Sequence, residues 1–447
     1  MTNKSNSFIE NKTQLIQYFK DGIKKDTDLR IGVEHEKFLF NKTDLKRIDY
    51  DQIKKIFEIL KEKGWEPQLE KDKLIGLKRQ NQKITTEPGF QYELSGAPFK
   101  NIHSVCSENS SHFNELKEVF KSTNITTSSI AYDPFNKLID IPKSPKERYK
   151  IMTSEMPKGG KLSLDMMYKT AGIQINYDYI SEEDFEKKFK IGNYLAPLTI
   201  ALFANSPFNE NKLSGFLSYR GKVWQETNRG GIMPISFENV NFEKYIDHVI
   251  NYPILFLKKN GKYYSPNGQT FRDFLNGNLS FLKGEKPTLE DFENHLGTIF
   301  TEIRLKQVIE FRSLDTCNFG CICNGPSFFT GLIYGSLDET YEIIKNWKKE
   351  EVMDSYLNAP KQGLNTLLKN KKLIDWAKIF LDISKKGLDK RNELNKSGKN
   401  ETIYLKHIEE IIKNKKTRAE ILIEQYNKTN NLNFLVNHDE NFSYSGF

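Results

Sequence analysis

Two glutamates stand two residues apart in the run Arg30-Ile-Gly-Val-Glu-His-Glu-Lys-Phe-Leu-Phe40, whose composition predicts a β-strand. Strand side chains alternate between faces, so Glu34 and Glu36 project the same way, about 6–7 Å apart. Ile31, Val33 and Leu39 fall on the opposite face with His35 and Lys37. Two carboxylates held rigidly on one sheet face make a poor core and a good cradle for divalent cations.

Three further strand-like runs repeat the pattern. Phe90–Leu94 offers Gln91 and Glu93 on one face, with Glu87 just upstream in Thr-Glu-Pro-Gly. Gly172–Tyr179 alternates Gln174, Asn176 and Asp178 against Ile173, Ile175 and Tyr177. Arg304–Leu314 sets Glu310 and Arg312 opposite Ile309 and Phe311. A solvated polar face explains any one of these strands; four strands sharing carboxylates, amides and arginine point to a site. The donors are hard oxygens, which suits magnesium, a cation that takes a few carboxylates plus water and phosphate oxygens. Without a cation, gathered carboxylates repel and raise one another's pKa. Arg148 in Lys146-Glu-Arg-Tyr149 and Arg220 in Phe216-Leu-Ser-Tyr-Arg-Gly-Lys-Val-Trp224 lie beside aromatic residues. A planar guanidinium grips a carboxylate through paired hydrogen bonds, which suits an amino-acid substrate. No GxxxxGK[ST], GxGxxG or HExxH occurs, so nucleotide phosphates would be met by metal and arginine rather than a glycine cradle.

These residues need a scaffold. Asp49–Lys63 carries Ile53, Ile56, Phe57 and Leu60 at helical spacing and stops at Gly64. A second helix is expected over Asn101–Lys121. A third should start at Ser181, a good N-cap before Glu182, Glu183 and Asp184, and run towards Ala204 with a kink at Pro197. Beyond about Gly335 the pattern is helical, as in Leu373–Ile383 and Ile403–Tyr426, before a polar, Asn-rich tail after Thr429. The fold class expected is α+β: a mostly antiparallel sheet with chemistry on one face, helices on the other, and a helical C-terminal region. Residues 1–335 would form the catalytic core and 336–447 the helical region packed on it, as one structural unit.

Composition bounds the partners. Lys plus Arg number 67 against 59 Asp plus Glu, a diffuse excess of +8 that makes no basic stripe, so nucleic acid is not expected as a partner. The most apolar run, Tyr194–Ala204, is too short to span a bilayer, and Met1–Gln14 is polar, so a cytoplasmic protein with no membrane partner is expected. Cys106, Cys317, Cys321 and Cys323 are too few for a disulfide scaffold, and the C-x3-C-x-C cluster lacks a nearby fourth metal ligand. Buried thiols are expected.

Longer motifs carry a resemblance. Ile-Gly-Val-Glu-His-Glu-Lys-Phe (31–38), Glu-Pro-Gly-Phe-Gln-Tyr-Glu-Leu-Ser-Gly-Ala-Pro (87–98), Ile-Pro-Lys-Ser-Pro-Lys-Glu-Arg-Tyr-Lys-Ile-Met (141–152) and Leu-Asp-Met-Met-Tyr-Lys-Thr (164–170) are joined by four more segments. These are Ala-Leu-Phe-Ala-Asn-Ser-Pro-Phe (201–208), Phe-Leu-Ser-Tyr-Arg (216–220), Thr-Phe-Arg-Asp-Phe-Leu (270–275) and Glu-Asn-His-Leu-Gly-Thr-Ile-Phe-Thr-Glu-Ile-Arg-Leu-Lys (293–306). Together they resemble the plant and α-proteobacterial type of glutamate–cysteine ligase, within the glutamine synthetase-like carboxylate–amine ligases. The resemblance implies a curved sheet forming a funnel with metals at its floor, two or three Mg2+ ions, and ATP as co-substrate. It implies joining of the glutamate γ-carboxylate to the cysteine amine, the first step of glutathione synthesis, by a monomer or homodimer. A different amine acceptor is the alternative. It assigns metal binding to Glu34, Glu36, Glu87, Glu93, Gln174 and Glu310, and nucleotide contact to Arg312 and Glu310. Glutamate binding falls to Arg148 and Arg220, with Asn176 and Trp224 as further substrate contacts. Glu34, Glu36 and Arg312 carry the catalytic roles.

Three departures stand out. The loop Gln-Glu-Thr-Asn-Arg-Gly-Gly after Trp224 is about two residues shorter than the family's, and Tyr252-Pro-Ile-Leu255 ends in leucine where the family has tyrosine. Residues 250–295 hold no cysteine, so no plant-style hairpin disulfide switch is expected.

Overall fold

The structure is a computed structural model that describes residues 7–437. Its centre is a nine-stranded sheet, numbered here β1 to β9 for that sheet alone. The strands are β1 (Ile31–Asn41), β2 (Glu66–Glu70), β3 (Lys73–Arg79), β4 (Gln82–Thr86), β5 (Tyr92–Ser95), β6 (Ile125–Ser128), β7 (Gly172–Tyr177), β8 (Ile303–Leu305) and β9 (Ile309–Asp315). Their order is β8-β9-β7-β1-β5-β4-β3-β2, with β6 on the far end of β1. Every neighbouring pair in this sheet is antiparallel. The four strand runs singled out in the sequence thus lie side by side, as β9, β7, β1 and β5. Long β1 lies mid-sheet, paired with β5 and β7 along its first part and with β6 along its last, and its Ile31, Val33 and Leu39 belong to the core behind it.

The helices follow their caps. Asp49 and Gln52 form a reciprocal capping box that starts helix Tyr50–Lys61, whose Ile53, Ile56, Phe57 and Leu60 are buried. Asn101 caps Ile102–Ser122, and Ser181 caps Glu182–Tyr194. The expected kink at Pro197 is a full break: a second helix, Ala196–Leu202, begins with that proline in its first turn, where its missing N–H costs nothing. Ile403–Tyr426 is likewise not one helix. It divides into a 3-10 turn (Glu401–Leu405), Lys406–Asn414 and Arg418–Thr429, with Lys415 in the left-handed region at φ 52 and Thr417 starting the next helix with a Glu420 capping box. The expected strand Arg304–Leu314 is a hairpin, β8 and β9, closed where Lys306 N–H donates to Val308 O. Of the polar tail after Thr429, Leu432 and Leu435 are buried and Phe434–Asn437 is helical; residues 438–447 lie outside the described residues.

The cysteine expectation is overturned. Cys106 is bonded to Cys323, their Cα atoms 6.0 Å apart, and Cys317 to Cys321, 6.1 Å apart. The sequence spacing hid the first pair because 217 residues separate its members. Among the described residues no helix is long and apolar enough to cross a membrane.

Candidate active site

Register places the polar residues. Across β1 and β5, Glu36 faces Glu93; across β1 and β7, Glu34 faces Gln174; across β7 and β9, Asn176 faces Glu310; across β8 and β9, Arg304 faces Glu310. Directly opposed side chains on one sheet face lie about 4.5–5.5 Å apart at Cβ. The register slips between Phe311 and Leu314, so Arg312 and Ser313 together oppose the single partner Gln174. That bulge re-aims Arg312, whose Nη1 contacts Gln174 Oε1.

This face floors a cavity of about 350 Å³. Glu34, Glu36, Glu87, Glu93, Gln174, Arg148, Trp224 and Arg312 all line it, and so do Arg304 and Lys306. Asn176 and Glu310 instead line an adjoining hollow that shares Glu34 and Lys306 with the first. Arg220 does not line the cavity. It lies behind Trp224, its guanidinium 5.1 Å from the indole centre while Arg312 sits 5.3 Å from the same ring. Arg220 Nη2 donates to Arg312 O at 2.9 Å, and its Nη1 is 3.8 Å from Asp315. Asp315 is fixed in turn by Asn205 N–H and the hydroxyls of Ser206 and Ser218. Residue 172 is glycine because a Cβ there would collide with the Arg220 guanidinium.

The two ends of the face differ in charge. Glu36 accepts from Gly172 N–H at 2.7 Å and Gln174 Nε2 at 3.4 Å, yet burial and the neighbouring Glu87 push its carboxyl up to about 7. Glu93 accepts from Ser95 Oγ at 3.0 Å, and burial together with Glu87, Glu34 and Glu36 raises it well above the ordinary carboxylate range. Glu310 is the opposite case. Burial alone would raise it, but Arg304, Lys306 at 2.8 Å and Arg312 at 3.6 Å hold it far below that range.

The donor set at the first end fits magnesium. Glu34, Glu36, Glu87, Glu93 and Gln174 are hard oxygen donors, and the raised carboxyls there are short of positive charge. Among the described residues no three acidic, His or Cys side chains are grouped so that they could hold a metal ion by themselves, so water and substrate oxygens would have to complete the shell. At the arginine end, Trp224 Nε1, Arg312 Nε and Arg220 Nε are buried donors with no hydrogen-bond partner among the described residues. Unsatisfied buried donors are costly, and a bound anion would satisfy those it reached.

Residues 30–438 match the family model described as glutamate-cysteine ligase family 2 (GCS2). This chain belongs to glutamate–cysteine ligase family 2. It is 41% identical over 421 residues to the chloroplastic glutamate–cysteine ligase of Solanum lycopersicum, which covers 93% of this chain and 79% of that one. It is 40% identical over 421 residues to the chloroplastic glutamate–cysteine ligase B of Oryza sativa subsp. japonica, with coverage of 93% and 84%. Among solved structures, the glutamate–cysteine ligase of Francisella tularensis in complex with AMP aligns at a TM-score of 0.57 and 14% identity, over 93% of this chain and 88% of that one. That likeness concerns the fold.

In this family member, sequence reasoning missed Arg304 and Lys306 as site residues, although their spacing of two was a strand signal. It also missed the apolar wall of Met152, Met166, Met167, Phe256 and Phe300. Leu255 is buried against that wall, in one cluster with Tyr149, Met152 and Trp224.

Proposed function

We propose that the chain catalyses ATP-dependent joining of the γ-carboxylate of L-glutamate to the amine of L-cysteine, giving γ-glutamylcysteine, ADP and phosphate. The observation that carries this reading is the cavity itself: clustered, charge-starved carboxylates beside stacked arginines, in a chain matching the family from residue 30 to 438.

The residues divide the work. Arg148 at the cavity wall, half-buried and 5.0 Å from the Tyr149 ring, holds the glutamate α-carboxylate, while Arg220, behind the wall, acts by holding Trp224 and Arg312 in place. A γ-carboxylate oxygen attacks the γ-phosphorus, ADP leaves, and the acyl phosphate is displaced by the amine, which loses a proton as phosphate departs. Arg312 and Lys306 face the negative charge that builds on the phosphoryl oxygens. Glu34, Glu36, Glu87, Glu93 and Gln174 would hold Mg2+, which when bound neutralises phosphate charge and orients the triphosphate. The methionine and phenylalanine wall excludes water from the acyl phosphate. No enzyme nucleophile is required. The sheet would curve as a funnel around this floor, and the helical C-terminal region, from residue 336 on, would pack as one unit with the catalytic core before it, a reading supported among the described residues by the largest core cluster, which runs from Ile9 to Ile411.

Incubation with glutamate, cysteine and Mg-ATP, read by mass spectrometry and ADP release, tests this. γ-Glutamylcysteine is the expected product. Release with another amine but not with cysteine would replace the acceptor; release with no amine tested would overturn the ligase reading.

A further inference from the structure

Four residues alternate along one face of β1: Glu34, Glu36, Phe38 and Phe40. The first two floor the cavity. The last two carry a fully buried cation, Arg47, whose guanidinium carbon lies 4.6 Å from the Phe38 ring and 6.0 Å from the Phe40 ring. Arg47 therefore sits on the catalytic face, one side-chain row beyond the carboxylates, and nothing in the site chemistry above uses it.

Its hydrogen bonds reach both walls of the cavity. Arg47 Nη2 donates to Gly89 O, in the turn that presents Glu87 and Pro88. Nη1 donates to Tyr168 O at 3.2 Å, in helix Ser163–Lys169, which presents Met166 and Met167. The same Nη1 lies 3.3 Å from Asp133 Oδ2, and Asp133 takes Lys169 O through its own N–H. One planar fork thus ties the carboxylate wall to the methionine wall. A second stitch runs parallel: Gln91 Nε2 donates to Met167 O and Thr170 O, both at 3.0 Å. The walls meet with no slack, because a Cβ on Gly89 would stand 2.7 Å from Tyr168 O.

We propose that Arg47 is a positioning residue that sets the separation between the Glu87 turn and the methionine-bearing helix, and so the spacing of the cation site and the apolar wall. This rests on the cavity being the ligase site. Lysine cannot replace it, since one ammonium lacks the planar fork that serves Gly89, Tyr168 and Asp133 together.

The test uses full-length Arg47→Lys and Gly89→Ala, with Phe38→Leu as a milder variant that removes only the ring under the guanidinium. Folding is followed by circular dichroism, Mn2+ affinity by electron paramagnetic resonance, and steady-state kinetics separate KM from kcat. Arg47→Lys and Gly89→Ala should each weaken Mn2+ binding and raise substrate KM values about tenfold, more than they lower kcat, with Phe38→Leu smaller and in the same direction. If the first two fail to fold, Phe38→Leu decides alone by the same split. Folded variants with wild-type Mn2+ affinity and wild-type KM values, losing rate only in proportion to folded protein, would overturn the proposal. A wild type that binds Mn2+ but yields no γ-glutamylcysteine would sink the assigned reaction instead, leaving Mn2+ affinity to judge Arg47.

Discussion

Protons and magnesium should compete for the carboxylate end of the cavity, and the competition can be sized. The Glu36 carboxyl is raised from an ordinary 4.5 to about 7 by burial and by Glu87, with Arg220, Gly172 N–H and Arg312 only partly compensating. At 1.36 kcal/mol per pH step, that rise corresponds to ~3 kcal/mol. Because the folded-state value lies above the unfolded one, the folded protein binds more protons between pH 4.5 and 7. The metal-free protein should therefore hold this stability below pH 4.5 and lose it as pH rises through 7. A cation reverses the preference, since it needs the carboxylate bare. With a competing proton at about pH 7, apparent Mg2+ affinity should be about tenfold weaker at pH 6 than at pH 8. Glu93, raised for the same reasons, steepens the dependence. Titration calorimetry in two buffers of different ionisation enthalpy would count the protons released, and melting curves with and without Mg2+ at pH 6, 7 and 8 would show a larger metal-induced rise at the higher pH. Equal affinity at pH 6 and 8, with no proton released, would refute the reasoning.

Other perturbations follow from the same geometry. Glu93→Gln replaces a buried ionisable carboxyl facing Glu36 with a neutral amide, so the metal-free protein should melt no lower at pH 8 while its Mg2+-dependent gain shrinks, both visible in one thermal series. Arg312→Lys keeps the charge but loses the fork that meets Gln174 and faces Glu310; by analogy with lost oxyanion donors, kcat should fall about 10²–10³-fold in a steady-state assay. Trp224→Leu removes the ring shared by Arg220 and Arg312, worth ~1–2 kcal/mol, and should lower kcat/KM for glutamate by roughly tenfold. Reduction of the Cys106–Cys323 link, which closes a loop between helices Ile102–Ser122 and Asn324–Thr330, should cost ~2–4 kcal/mol in a denaturant titration, with Cys106→Ser reproducing the loss under oxidising conditions.

Alternation made the working strands legible. β1, β5, β7 and β9 each bury one face and expose the other to the cavity, so period two survives in the sequence even though their chain order and their spatial order differ. Strands β2 to β4 escaped because they extend the sheet towards solvent: Glu66, Pro67, Leu69, Lys73, Lys78 and Lys83 are exposed, and Leu74, Leu77 and Ile84 are the few core residues they bury. The Arg312 bulge was invisible because a register slip belongs to two strands at once. Glu310 shows the same limit. The family resemblance implies a metal ligand there, and the pairing that the sequence did not show is the one made by the hairpin turn at residues 306–308, which folds Arg304 and Lys306 back onto it. By contrast, the break before Arg418 was written in Thr417-Arg-Ala-Glu420, a capping-box signature inside an otherwise periodic helical run.

That asymmetry explains how one polar face could handle a triphosphate and its cation without scattering them. A uniformly acidic floor would repel the phosphates, and a uniformly basic one would repel the metal. Here one strand, β7, separates the row Glu93–Glu36 from the row Arg304–Glu310, and Glu310 is already neutralised by Arg304, Lys306 and Arg312. Glu310 thus spends no charge on repelling phosphate; it holds three cationic groups in register along the face. Arg312 stands at the seam, touching Gln174 on one side and Glu310 on the other. The glutamate γ-carboxylate, lying over that seam, would meet the phosphorus with cations on both flanks, and on this reading the bulge in β9 is what puts the guanidinium there.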